Sequence, residues 1–191
     1  MLSTVASGTS LQFAILGLLH QQPMTGYAVR KVFATTPMSH YSDSPGSIYP
    51  ALGRLRREGL VTATVQKKNS LRPRQMFRLS AAGLKALNGW VSRPVTREEL
   101  VGSSEEVMLR FVFAEQVLGP AAALEFLRSF ERVLAAYVPE LEQYCAVASP
   151  DMPLGAALAL RGGVASHQAQ LQWVRDAIRE FRRLAPRKEA V

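Results

Sequence analysis

Residues 44–61 read SPGSIYPALGRLRREGLV, and the reading of this stretch decides the fold. Ile48, Leu52 and Leu55 recur at i, i+4 and i+7 with Ala51 beside them, so a helix here buries one stripe. Tyr49, Gly53, Arg54, Arg56 and Arg57 are left to its other faces. Gly59 can take the left-handed backbone that ends a helix, and Leu60 follows the turn. Pro50 constrains the start. With Ser44 as cap it falls inside the helix at a cost of about 3 kcal/mol, whereas Gly46 or Ser47 as cap places it in the first turn, where no N–H is missed. The sequence therefore predicts the later start.

Upstream, SLQFAILGLLHQQP from Ser10 sets Leu11, Ile15, Leu18 and Leu19 at helical spacing and ends before Pro23. Thr25 can cap a second helix, with Tyr27, Val29, Val32 and Phe33 as its packing residues and Pro37 as its close. Residues 37–45 are a loop by composition. Downstream the period changes. LVTATV alternates and is β-branched, QKKNSLRP is polar, and RQMFRLS alternates Phe77 and Leu79 around Arg78, so together they predict a hairpin with a basic tip. Ser80 caps a further helix, and Arg93–Pro94 marks a boundary. Three helices followed by a basic hairpin is the order of a winged helix-turn-helix, which assigns residues 1–93 to a DNA-binding domain of that type.

Residues 94–191 read as helical. SSEEVMLRFVFAEQVLG opens with a capping-type Ser/Glu arrangement, and PAAALEFLRSFERVLAAYVPELEQYC is a long amphipathic segment. AVASPDMP reads as a linker before the last helix. A helix from Leu154 to about Leu184 runs about 45 Å, too long to hide its apolar track against one small domain. A partner subunit is the expected cover, with Leu158, Leu171, Val174 and Ile178 as interface residues and Gly162–Gly163 as a place for a bend. The predicted fold class is mainly α with a small β-hairpin: an N-terminal winged helix-turn-helix and a C-terminal helical dimerisation and effector domain.

Charge and chemistry narrow the function. The 191 residues carry a net +8, and twelve of 23 basic but only two of 15 acidic residues lie in residues 1–93, a net +10 there against −2 for the remainder. Such an imbalance faces a polyanion: nucleic acid, ribosomal RNA or an anionic membrane surface. No apolar run is long enough for a membrane span, and no basic segment precedes the apolar start, so a cytoplasmic location is expected. One cysteine and three histidines without metal-ligand spacing predict no disulfide, no metal site and no cofactor. Cys145 and His167 are the sole pair an enzyme could use, and neither has an orienting partner, so catalysis is not expected. A lone cysteine is ordinarily a small hydrophobe; as a redox sensor it needs electropositive neighbours. Trp90 and Trp173 are core residues by the usual behaviour of helical aromatics; the alternative use is to line an effector pocket.

In a winged helix the third helix enters the major groove, and the wing meets the backbone or minor groove. Arg54, Arg56 and Arg57 suit guanine edges and phosphates, and Lys67, Lys68, Arg72 and Arg74 crowd one turn that an anion would relieve. Singly, an exposed arginine is as readily a solvated face as a contact. ILGLLHQQPMTGYAVRK, SPGSIYPALGRLRREGLV and LRPRQMFRLSAAGLKAL closely resemble the PadR family of bacterial transcriptional regulators over about residues 10–93. The segment with LQWVRDAIREF looks like the larger C-terminal domain of that family's long form. The resemblance implies a homodimeric regulator, often a repressor, on a pseudo-palindromic operator in double-stranded DNA, released by a small-molecule effector. By motif position it places Gly46, Ser47 and Tyr49 at the DNA-facing start of the recognition helix, and Arg72, Pro73 and Arg74 on the wing. Leu71 stands where that wing has glycine, so Asn69 or Ser70 must supply the turn. The alternative is a basic winged-helix module that docks on protein without direct operator binding.

Overall fold

The computed structural model describes residues 9–40, 44–66 and 74–184, in two units, Met1–Arg93 and Pro94–Val191. In the first unit, helix α1 (Ser10–Gln21) starts with a capping box: the Gln12 N–H donates to Thr9 Oγ1 and the Thr9 N–H to Gln12 Oε1. Phe13 through Leu19 are buried all round, because α3 (Pro45–Arg57), α4 (Ala81–Val91) and strand β3 (Arg74–Leu79) pack around this helix. Trp90 of α4 stacks on Phe13, ring centroids 4.6 Å apart, and is almost wholly buried. It is a core residue. The ordinary reading of a helical aromatic thus holds for Trp90, and its alternative use in an effector pocket is corrected, since its indole face is already covered by Phe13.

Helix α2 (Gly26–Thr35) is capped by Thr25, whose hydroxyl accepts from the Ala28 N–H at 3.1 Å. Val29 and Phe33 face the core, but Tyr27 is 62% exposed and does not pack there. Its ring lies beside the Arg30 guanidinium, 5.7 Å from centroid. A short 3-10 turn, Pro37–His40, follows.

Helix α3 begins earlier than the sequence reading placed it. Ser44 is the cap, its Oγ accepting from the Gly46 N–H at 3.2 Å, and Pro45 occupies the first turn. Pro50 therefore sits within the helix, exposed; the carbonyl that loses its helical donor is that of Gly46, on a residue that is also exposed, so the lost bond is not a buried one. Ile48, Ala51, Leu52 and Leu55 are buried as the spacing requires. The helix ends in a Schellman arrangement. Gly59 has φ +71°, its N–H donates to the Arg56 carbonyl, and the Leu60 N–H donates to the Leu55 carbonyl at 2.9 Å.

Strand β2 (Val61–Gln66) pairs antiparallel with β3, Val61 opposite Leu79 and Ala63 opposite Phe77. A two-residue strand β1 (Met24–Thr25), absent from the sequence reading, pairs with the other edge of β3, Met24 opposite Phe77. The predicted hairpin tip, with Lys67, Lys68, Arg72 and the turn around Leu71, lies outside the described residues. Ser80 ties the segments together: its Oγ accepts from the Gly83 N–H at 3.0 Å, donates to the Gly59 carbonyl at 2.7 Å, and its N–H reaches the Leu60 carbonyl. A β-carbon on Gly83 would overlap that Leu60 carbonyl, so only glycine lets α4 lie this close.

In the second unit, α5 (Arg97–Gly102) was not foreseen; it carries a capping box of Thr96 and Glu99. Glu98 titrates below its ordinary range because backbone N–H donation, and then the Thr96 hydroxyl, favour its carboxylate, and Arg97 titrates above its own because Glu140 accepts from it. Helix α6 (Ser104–Leu118) follows Ser103 with no side-chain cap bond, contrary to the Ser/Glu reading. Gly119, φ +86°, turns the chain into α7 (Pro120–Ala148). The predicted linker is shorter than its composition suggests: α7 continues through Ala148, and a 3-10 turn, Ser149–Asp151, precedes α8 (Leu154–Leu184).

Helix α8 packs against α7. Leu171, Val174 and Ile178 are buried in one core with Leu127, Phe130 and Leu134, so their cover is this chain's own α7. Their assignment to a subunit interface is corrected on that ground: a side chain already dry within one chain offers no surface to a second. Leu158 differs, at 54% exposed. Arg110 of α6 is buried, donates to Glu99 Oε2 at 2.8 Å and lies over the Phe126 ring, so the acid that caps α5 also holds a buried cation. Trp173, 37% exposed, meets Phe111 edge-on, centroids 5.6 Å apart. No described helix is long and apolar enough to cross a membrane.

Candidate nucleic-acid interface

The geometry of α3 follows from its buried stripe. With Ile48, Ala51, Leu52 and Leu55 inward, a 100° step per residue puts Gly46, Gly53 and Arg57 at the centre of the outer face, Tyr49 and Arg56 on one flank, and Ser47 and Arg54 on the other. All of these except half-buried Gly53 are exposed. Arg57 Nη1 lies 3.8 Å from where a β-carbon of Gly53 would stand, so its guanidinium folds back along its own helix.

Tyr49 and Arg74 are brought together, although 25 positions separate them in sequence. They line one open groove of ≈ 570 Å³ with Thr25, Gly26, Tyr27, Gln75 and Phe77. Each wall has a local cause. Thr25 both ends β1 and caps α2, the first residue of β3 presents Arg74, and the second turn of α3 presents Tyr49. The floor, Phe77, is buried. Two phenol rings and a guanidinium around an open groove offer hydrogen-bond donors and positive charge to a phosphate backbone. Arg54, Arg56 and Arg57 are not part of this groove's lining; they extend the basic surface along α3.

Gly26, Tyr27 and Gln75 were missed as groove residues. The signal available for Tyr27 was weak: an aromatic at helical spacing to Phe33 reads as core, and only the fold shows that its position on α2 faces out. Gly26 and Gln75 carry no chemical signal of their own.

Residues 15–89 match the model of the transcriptional regulator PadR-like family. The negative transcriptional regulator PadR of Bacillus subtilis (strain 168) is 30% identical over 103 residues, 54% of this chain and 56% of that one; the chain thus spans about half the length of the curated relative it matches. Among solved structures, Bacillus subtilis PadR in complex with operator DNA aligns at 22% identity and TM-score 0.45, covering 91% of this chain and 99% of its own. The same protein in complex with p-coumaric acid aligns at 23% identity and TM-score 0.41, with coverage of 91% and 99%. A PadR-like regulator from Bacillus cereus aligns at 21% identity and TM-score 0.41, with coverage of 92% and 98%. The family is one of regulators rather than enzymes. Over residues 15–89, then, this chain is similar to the transcriptional regulator PadR-like family.

Proposed function

We propose that the chain works in the cytoplasm as a homodimeric repressor, that residues 1–93 bind a pseudo-palindromic operator, that residues 94–191 hold the dimer, and that a small molecule releases the DNA. The observation that carries the DNA-binding part is the convergence of Tyr49 and Arg74 on one open groove beside an α3 whose outer face is arginine-rich. Gly46, Ser47 and Tyr49 meet the major groove, Arg54, Arg56 and Arg57 its edges and phosphates, and Arg74 with Lys67, Lys68 and Arg72 the backbone. Repression is supported by the negative regulator that this chain matches over about half its length. For dimerisation the support is the exposed apolar side chains that flank the α7–α8 turn, Tyr144 and Val147 before it and Leu154 and Leu158 after it. The effector rests on the family resemblance alone, and Trp173, open beside Phe111, supplies a fluorescent reporter for titrating metabolites.

The test is binding of a duplex enriched by the wild-type protein from a random pool, against an unselected duplex, across salt concentrations. Arg74→Ala is expected to lower affinity for both duplexes about equally and to reduce the salt slope by about 1. Tyr49→Ala is expected to weaken the enriched duplex more than the unselected one. Wild-type binding by both folded variants, or no salt slope, would instead support a module that docks on protein.

A further inference from the structure

We propose that Gly26 is a positioning residue for Tyr49: its missing side chain admits the tyrosine ring against the first turn of α2 and so fixes where α3 presents that ring to DNA. The inference rests on the reading of Tyr49 as DNA-facing. Gly26 sits at the first residue of α2 in ordinary helical backbone, with no positive φ to explain a glycine. What explains it is distance. A β-carbon here would stand 2.7 Å from Tyr49 Cε1, closer than real β-carbons approach another atom, and 3.2 Å from Cδ1, which is tight, while Leu52 Cδ1 at 3.4 Å is ordinary contact.

The strain of a methyl group at this position has one outlet. The backbone of Gly26 cannot retreat, because Met24 and Thr25 are paired with Phe77 and Met76, and the Thr25 hydroxyl holds the Ala28 N–H. Helix α3 cannot retreat either, since Ile48 and Leu52 on either side of Tyr49 are buried. The Tyr49 ring is 47% exposed and turns outward at little cost. A methyl at position 26 therefore leaves the fold standing and moves the ring out of the groove it shares with Arg74. Gly83 is the contrast, because there the obstacle is the Leu60 carbonyl, a backbone atom that cannot swing away.

A double-mutant cycle on the full chain tests this: wild type, Gly26→Ala, Tyr49→Ala and the double variant, read by thermal melting and by affinity for the enriched duplex. Gly26→Ala is expected to melt like wild type and to bind about as weakly as Tyr49→Ala, on the order of tenfold down. In the Tyr49→Ala background it is expected to add nothing. Losses that multiply in the double variant overturn the proposal, because Gly26 would then act without the ring. So does Gly26→Ala binding like wild type while Tyr49→Ala does not. If Gly26→Ala instead melts early, Tyr49→Ala must restore the melt, and failure to do so overturns the proposal. Unchanged binding by Tyr49→Ala overturns the DNA-facing reading of Tyr49, and the proposal falls with it.

Discussion

Leu55 is wholly buried on α3 and Arg56, the next residue, is exposed, so the pair separates the folding role of that helix from the binding role proposed for it. Leu55→Ala empties a core position and is expected to cost about 2–5 kcal/mol in denaturant unfolding. Arg56→Ala is expected to stay within about 0.5 kcal/mol without DNA; reversed effects would mean the opposite face is buried. Residues of this kind were legible in the sequence because a buried stripe repeats with the helix period. Tyr27 is not, since an aromatic side chain gives no periodic mark of which environment it occupies. At helical spacing Tyr27 reads as core yet is exposed, whereas Trp90 lies in the core, its indole covered by Phe13. Tyr49 and Arg74 were each singled out by motif, but their sharing one groove depends on β3 and α3 meeting, which no spacing records.

At the scale of elements, the end of α3 and the start of α4 are one junction. Ser80 accepts from Gly83 and donates to Gly59, which holds the left-handed turn that stops α3. Ser80→Ala removes a cap and a second bond together and is expected to cost about 1–2 kcal/mol in thermal or denaturant melts, more than an ordinary cap loss. A cost under about 0.3 kcal/mol would show the junction to be held by packing alone. Both Gly59 and Ser80 were readable, because caps obey local rules. The start of α3 was misjudged for the same reason: local propensity penalises Pro50, but the Ser44 cap, Pro45 in the first turn and the burial of Ile48 outweigh one lost hydrogen bond at an exposed carbonyl. Short α5 and two-residue β1 escaped because neither is long enough to show a period.

At the scale of the whole chain, the sequence showed the long last helix and its boundaries but not its partner, since an apolar track reads the same whether a neighbouring helix or a second subunit covers it. Ile178→Ala is expected to cost about 2–5 kcal/mol regardless of protein concentration, because its cover is intramolecular. Leu158→Asp is expected to change stability by less than about 0.5 kcal/mol and to shift sedimentation from dimer towards monomer. A dimer unaffected by Leu158→Asp would move the interface off the first half of α8. The pairing of Met24 with Phe77 bears on the order in which the molecule assembles. Strands β2 and β3 join neighbouring segments, as do α7 and α8, and such contacts close early for little chain entropy. The β1 edge links segments about fifty residues apart and can close only once α2 and α3 have found their places. Met24→Ala is therefore expected to speed unfolding while leaving the refolding rate nearly unchanged in stopped-flow measurements, the mark of a contact made after the barrier. The strand that lines up Thr25 for the groove of Tyr49 and Arg74 is then the last stitch of its unit to be drawn tight, and the first to slip.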